Sequence, residues 1–221
     1  MSTEVQSTRD DLAPLVLLIS GPSGSGKSTL IGRLMQVEPR IGFSVSVTTR
    51  APRAGEVDGR DYHFASEAEF DRLLAADLLL EWAQVYGHRY GTPRSEVTRL
   101  HAAGRDALFD LDIVGGHNLM RQLPGVVSVF ILPPEFAALR LRLVLRGKDD
   151  DATIQRRLGL VAAQCRGYEA YRYLIVNDDL EAAANDLVAI VRAERAATSR
   201  RRPLAEAVLA TFQAAEPGTT R

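Results

Sequence analysis

A single cysteine, Cys165, stands in the whole sequence, so no disulfide can form within the chain, and the composition suits a reducing compartment. Long apolar runs are missing too. The longest, Leu15–Ile19, falls far short of the about 20 residues a helix needs to span a bilayer. The stretch Met1–Asp11 lacks the basic and apolar regions of a signal peptide. Neither sign of charge dominates: 27 Lys and Arg face 28 Asp and Glu. The whole-molecule field therefore selects neither nucleic acid nor a membrane surface, and any bound anion must be held by local basic clusters. The histidines, His63, His88, His101 and His117, show no metal-ligand spacing among themselves or with Cys165. These absences lead to the expectation of a cytoplasmic protein without nucleic-acid or membrane partners, either a monomer or a homo-oligomer.

The 221 residues suffice for one globular domain with small insertions and a substantial core. Residues 1–13 read as a disordered leader. Leu15–Ile19 reads as a buried parallel strand, because it is continuously apolar rather than alternating. A glycine-rich turn and a helix over 27–36 follow, then a strand over Phe43–Val47. Residues 48–63, rich in Arg, Pro, Gly and Asp, predict loop and turn. Ser66 with Glu69 three residues on predicts a capping box for a helix over 66–76. Short strands are expected at 78–82 and 86–90 around Gly87, and a helix over 94–103 closed by Gly104. Further strands are expected at 107–113, 126–132 and 173–176, and further helices at 135–146, 153–165 and 180–197. The order describes an α/β fold, a parallel sheet flanked by helices on both faces and carrying an insertion. Beyond Arg200–Arg202 a loosely attached tail is expected, 198–221.

Gly21-Pro22-Ser23-Gly24-Ser25-Gly26-Lys27-Ser28 fits G-x-x-x-x-G-K-[ST] in full, between an apolar strand and a helix. Glycines let the backbone curl so that its N–H groups face a phosphate, and the helix N-terminus adds positive potential. Lys27 would reach the β- and γ-phosphates, and the Ser28 hydroxyl would ligate Mg²⁺. The motif predicts a nucleoside triphosphate and Mg²⁺ but leaves the phosphate acceptor open. Asp110, at the end of the apolar run 107–109, stands where such sheets place a ligand and could hold the water shell of Mg²⁺. Alone, it reads equally well as an acid at a strand end.

A second dense segment runs Ser46-Val-Thr-Thr-Arg50-Ala-Pro-Arg53-Ala-Gly-Glu-Val-Asp-Gly-Arg-Asp-Tyr62-His-Phe64. Arg50 and Arg53 can grip one phosphate from two sides provided the chain turns at Pro52. At this point the sequence resembles the guanylate kinase family. The matching stretches are Gly21–Thr29, Phe43–Phe64, Glu81-Trp82-Ala83 with Tyr90-Gly91-Thr92-Pro93, Ala107–Asp112, Arg142–Leu158, and Ile175-Val-Asn177-Asp-Asp-Leu180. They follow the family's order over about residues 15–197.

The resemblance implies a P-loop NTPase-type core, an inserted GMP-binding subdomain over about 46–98 and a lid over about 143–158. It implies transfer of the γ-phosphoryl group of ATP to GMP, with dGMP as a further acceptor, in purine nucleotide metabolism. Gly21–Thr29 and Asn177 would then bind ATP. Arg50, Arg53, Tyr62 and Tyr90 would hold the GMP phosphate, and Ser46, Glu81, Thr92 and Asp112 would recognise guanine. Guanine offers N1–H and the 2-amino group as adjacent donors, which an ionised Glu81 can accept together, and adenine does not. By the same analogy Arg146 and Arg157 close over the ATP phosphates and join Lys27 and Arg50 as catalytic residues. Three positions depart from the family: Val114 for the usual glutamine, Lys148 for threonine and Gln164 for glutamate. A non-catalytic binding module of the same fold would be expected to have a damaged phosphate loop. A ribose bisphosphate kinase would be expected to have lost Glu81, Tyr90 and Asp112.

Overall fold

The continuous apolar run at the start of the chain is a strand covered on both faces. The computed structural model describes residues 13–85, 87–137, 159, 161 and 164–215. Strand β1 (Val16–Ser20) sends Leu17 and Ile19 to one face and Leu18 to the other, each 1% exposed or less. Burying each such side chain contributes about 1.5–3 kcal/mol. The helix after it, α1 (Lys27–Val37), buries Leu30, Ile31 and Leu34 at helical spacing against the Leu17 face. Strand β2 (Ile41–Phe43) follows, and the insertion begins.

The insertion holds β3 (Val47–Thr48), β4 (His63–Phe64), α2 (Glu67–Ala75), β5 (Leu79–Val85) and β6 (His88–Pro93). These strands form a second sheet, in the order β4-β3-β6-β5, around a small core of Val47, Phe70 and Leu79. The predicted capping box is formed: Ser66 Oγ accepts from the Glu69 N–H, and the Glu69 carboxylate accepts from the Ser66 N–H at 2.7 Å. Helix α3 (Arg94–Ala102) returns the chain to β7 (Asp106–Asp110). Then come α4 (Ile113–Gln122), β8 (Val127–Leu132), β9 (Tyr173–Val176), α5 (Leu180–Ala196) and α6 (Thr198–Ala215).

The main sheet has the order β2-β7-β1-β8-β9, and every pairing in it is parallel. This is the α/β architecture expected from the pattern. Register puts Ile19 beside Asp110, so the carboxyl ends of β1 and β7 open on the same side, where such sheets place ligands.

Three local readings change. The strand expected over Phe43–Val47 is two strands in two sheets. Between them the Ser44 N–H donates to Leu108 O and the Val45 N–H to Glu96 Oε2, so the crossing backbone is satisfied without a ladder. The run 107–113 stops at Asp110 because Asp112 turns to cap α4. Within the expected tail, Thr198–Ala215 form an 18-residue helix whose Leu204 is buried, though Leu209 and Phe212 remain exposed. The helices expected at 135–146 and 153–165 lie largely outside the described residues. Among the described residues no helix is long and apolar enough to cross a membrane.

Candidate active site

The first turn of α1 carries no acidic side chain and no side-chain cap, so its N–H groups are left to the loop before it. That loop wraps its own lysine: Lys27 Nζ donates to Gly21 O at 2.7 Å and to Pro22 O at 3.2 Å. Behind the loop the Asn177 amide, 4% exposed, donates to Ser25 O at 2.7 Å and ties the loop to the end of β9. Gly26 caps α1 at φ +95°, and a Cβ there would sit 2.1 Å from Asn177 Nδ2. Gly26→Ala therefore combines left-handed strain with the loss of the Asn177 contact, and is expected to cost about 2 kcal/mol and lower Tm by about 4–8 °C. Gly32→Ala, on the open face of α1 with nothing within 4 Å, is expected to raise Tm slightly. Calorimetry of the two variants checks the pair.

The loop, Tyr62, Asp110 and Asp112 border one cleft of about 230 Å³, with Gln164 on its rim. Asp110 is half-buried at the end of β7. Asp112 accepts from the Gly115 N–H at 2.8 Å as the N-cap of α4. Burial pushes the Asp112 carboxyl up, against the pull of Gly115 and of the Lys27 charge. Glu81, on β5, is 7% exposed and accepts from the Thr92 hydroxyl at 2.7 Å across the β5–β6 pair. Burial pushes Glu81 up to about 7, the Thr92 bond opposes this, and nearby Asp112 adds to it. A Cβ on Gly115 would lie 3.0 Å from Glu81 Oε2 and 3.2 Å from Asp112 Oδ1. The glycine in the first turn of α4 thus lets the carboxylates of Glu81, from the second sheet, and Asp112, the N-cap after β7, converge. Such a pair can accept from adjacent N–H donors on a planar ligand.

In the loop between β3 and β4, Arg50 lies over the rings of Tyr62 and Phe64, 5.3 and 5.9 Å from their centroids. Its Nε donates to Tyr90 Oη at 3.2 Å, and its Nη2 meets both oxygens of Glu56 at 2.9 and 3.0 Å. Arg53 has an exposed side chain and is anchored through its N–H, which donates to Glu56 at 2.7 Å.

The structure thus gathers Gly21, Ser23, Gly24, Gly26, Lys27, Ser28, Tyr62, Asp110 and Asp112 around one cleft, with Pro22 and Ser25 in the loop behind its surface, Glu81 close to Asp112 and Thr92 bonded to Glu81. Thr29 lies in the first turn of α1, its N–H donating to Gly26 O. Ser46 is half-buried just before β3. The Thr92 hydrogen is spent on Glu81, so of the two hydroxyls expected at the base, Ser46 and Thr92, Ser46 is the one left to donate. Val114 follows cleft-lining Ile113 and its backbone N–H donates to Asp112, but its side chain is exposed, so the departure from the family concerns an outward-facing side chain beside the site. Arg146, Arg157, Lys148 and the expected lid over 143–158 lie outside the described residues. Sequence reasoning missed Glu56 and Gly115. An acid a few residues after two arginines was a usable signal for the first. The second, a close approach between sheets, leaves no local trace.

Comparison with known proteins places the chain in a family. The family model described as "Guanylate kinase" matches residues 13–194. A guanylate kinase of Rhizobium meliloti is 47% identical over 88% of this chain and 89% of its own. One of Thiobacillus denitrificans is 47% identical over 84% of this chain and 89% of its own. The crystal structure of guanylate kinase from Anaplasma phagocytophilum superposes with a TM-score of 0.72 at 35% identity, covering 89% of this chain and 96% of that one.

Proposed function

The chain belongs to the guanylate kinase family and is an ATP:GMP phosphotransferase, and from that premise we propose how its own residues divide the work. The observation that carries the assignment is Glu81, a buried carboxylate turned toward Asp112. Ionised, it accepts from guanine N1–H and the 2-amino group. Asp112 completes the acidic edge, Thr92 orients Glu81, and Ser46 donates to the base. Adenine would leave the buried carboxylate unpaired. The second sheet, residues 46–98, is the acceptor-binding unit, and Arg50, Arg53, Tyr62 and Tyr90 take the GMP phosphate.

On the donor side the N–H groups of Gly21–Thr29 cradle the ATP phosphates and Lys27 faces the β- and γ-oxygens. Asn177 acts from behind, by holding Ser25. A GMP phosphate oxygen attacks the γ-phosphorus in line as the bond to the β–γ bridging oxygen breaks, and ADP and GDP leave. The acceptor phosphate is already ionised near neutral pH, so no strong general base is required. By the family resemblance Arg146 and Arg157, which lie outside the described residues, are assigned to balance charge on the transferred group.

The hydroxyl of Ser28 and the carboxylate of Asp110 border the same cleft, and both are the hard oxygen donors Mg²⁺ prefers. Among the described residues no cluster of three His, Cys, Asp or Glu could hold a metal, which fits an ion bound chiefly through phosphates and water. When bound, Mg²⁺ offsets the phosphate charge. A cytoplasmic location goes with these substrates.

The test is ADP production with ATP, Mg²⁺ and a panel of GMP, dGMP, AMP, CMP, UMP and ribose 1,5-bisphosphate. Turnover is expected with GMP, more weakly with dGMP, and at least about a hundredfold below GMP with the others. Comparable turnover with AMP would overturn the assignment of Glu81.

A further inference from the structure

The Arg50 fork is fixed from three sides, and two of the three groups, Ala51 O and Glu56, have no role in the scheme above. Its Nε donates to Tyr90 Oη, its Nη1 donates to Ala51 O at 2.8 Å, and its Nη2 is held by both Glu56 oxygens. The Arg50 and Glu56 side chains are 10% and 19% exposed, so the pair is shielded from solvent rather than floating on the surface. The same Glu56 carboxylate accepts from the Arg53 N–H, while the Glu56 N–H donates to Arg53 O at 3.1 Å. Glu56 therefore closes the turn after Pro52 and fixes the Arg50 side chain to the Arg53 backbone.

We propose that Glu56 is a positioning residue that presents Arg50 to the acceptor phosphate. The proposal rests on the reading of Arg50 as a phosphate ligand. Guanidinium Nη1 carries two hydrogens and among the described residues one is engaged, by Ala51 O, so the second is offered in a direction set by Glu56. The Tyr90 hydroxyl accepts from Arg50, which leaves its own hydrogen to donate toward the same phosphate. Glu56 does not have to vacate for substrate, because leaving would break the bidentate pair and a 2.7 Å bond to a backbone N–H together. Because Glu56 offsets the Arg50 charge, the net attraction for the phosphate comes from the exposed guanidinium of Arg53. Hydrogen bonds from Arg50 and then from Arg53 hold the Glu56 carboxyl below the usual range, so it stays ionised through the working pH range.

Steady-state kinetics of Glu56→Gln, Arg50→Ala and the double variant test this, with melting curves to verify folding. Glu56→Gln is expected to raise KM for GMP about tenfold or more, with KM for ATP within about twofold. The double variant is expected to match Arg50→Ala, because Glu56 acts through Arg50. If Arg50→Ala leaves the GMP KM unchanged, the phosphate-ligand reading itself fails. If Arg50→Ala raises it and Glu56→Gln does not, only the role of Glu56 is overturned. A lower GMP KM in Glu56→Gln would make Glu56 a competitor of the phosphate, and a further rise in the double variant would give it a separate route. Either result also overturns the proposal. Should Glu56→Gln not fold, Glu56→Asp, which keeps the charge but is too short for the bidentate pair, is held to the same criteria.

Discussion

Lys27→Ala is expected to lower kcat by about a thousandfold while KM for GMP stays within about twofold. The ammonium group is held by Gly21 O and Pro22 O, so the loop aims it before substrate arrives. Its charge also acts on Asp112 across the cleft. In phosphoryl transfer, charge develops on oxygens of the transferred group and of the leaving diphosphate, and a cation already in place stabilises it without reorganisation. Lys27→Arg is not expected to rescue. The planar guanidinium is larger than the ammonium and cannot fill a space closed by two backbone carbonyls of the same loop. Stopped-flow single turnovers with saturating ATP separate the chemical step from binding. A kcat within tenfold of wild type for Lys27→Ala would remove Lys27 from the mechanism.

The parts of this fold that could be read from sequence are those governed by neighbours along the chain. The phosphate loop is one: strand, glycines, lysine and helix follow within a dozen residues, and each constrains the next. The Ser66–Glu69 capping box is another, since both partners lie within a single turn. What escaped was long-range. The split of the expected strand at 43–47 depends on Glu96, far along the chain, reaching back to the Val45 N–H. Thr92 was expected to face a ligand, yet its hydroxyl turns to Glu81, because strand register places the two residues opposite each other. Asn177 was expected to bind ATP, and the structure gives its amide a partner within the protein, Ser25 O of the phosphate loop. In each case the side-chain type was right for polar work, and the partner was fixed by packing between elements.

The cleft also has an electrical order that composition could not reveal in a nearly neutral chain. It holds Lys27 beside Asp110 and Asp112. Asp112 and neighbouring Glu81 are both shifted upward because burial disfavours their charged forms. Under the proposed assignment, with Arg50 and Arg53 of the insertion on the phosphate, a nucleotide with an anionic phosphate and a base rich in N–H donors matches this distribution. It also relieves the cost of two buried carboxylates facing each other.

That cost makes guanine recognition sensitive to pH. Glu81→Gln is expected to lower kcat/KM for GMP about a hundredfold or more, since the amide turns a donor toward guanine's own donors, while KM for ATP stays unchanged. In the wild type the Glu81 carboxyl lies at about 7, so the neutral form prevails below that pH. On the proposed assignment guanine is bound by the anion, so affinity for GMP is expected to fall as pH drops. Between pH 8 and pH 6 the ionised fraction falls about tenfold, and KM for GMP is expected to rise by about that factor. The phosphate monoester of GMP titrates near pH 6 as well. Glu81→Gln retains that second titration and lacks the first, so the difference between the two pH profiles isolates the carboxylate. Identical profiles would show that Glu81 does not titrate in this range or does not touch the base. A wild-type rise in KM that vanishes in Glu81→Gln would tie base recognition to the protonation of this one buried side chain.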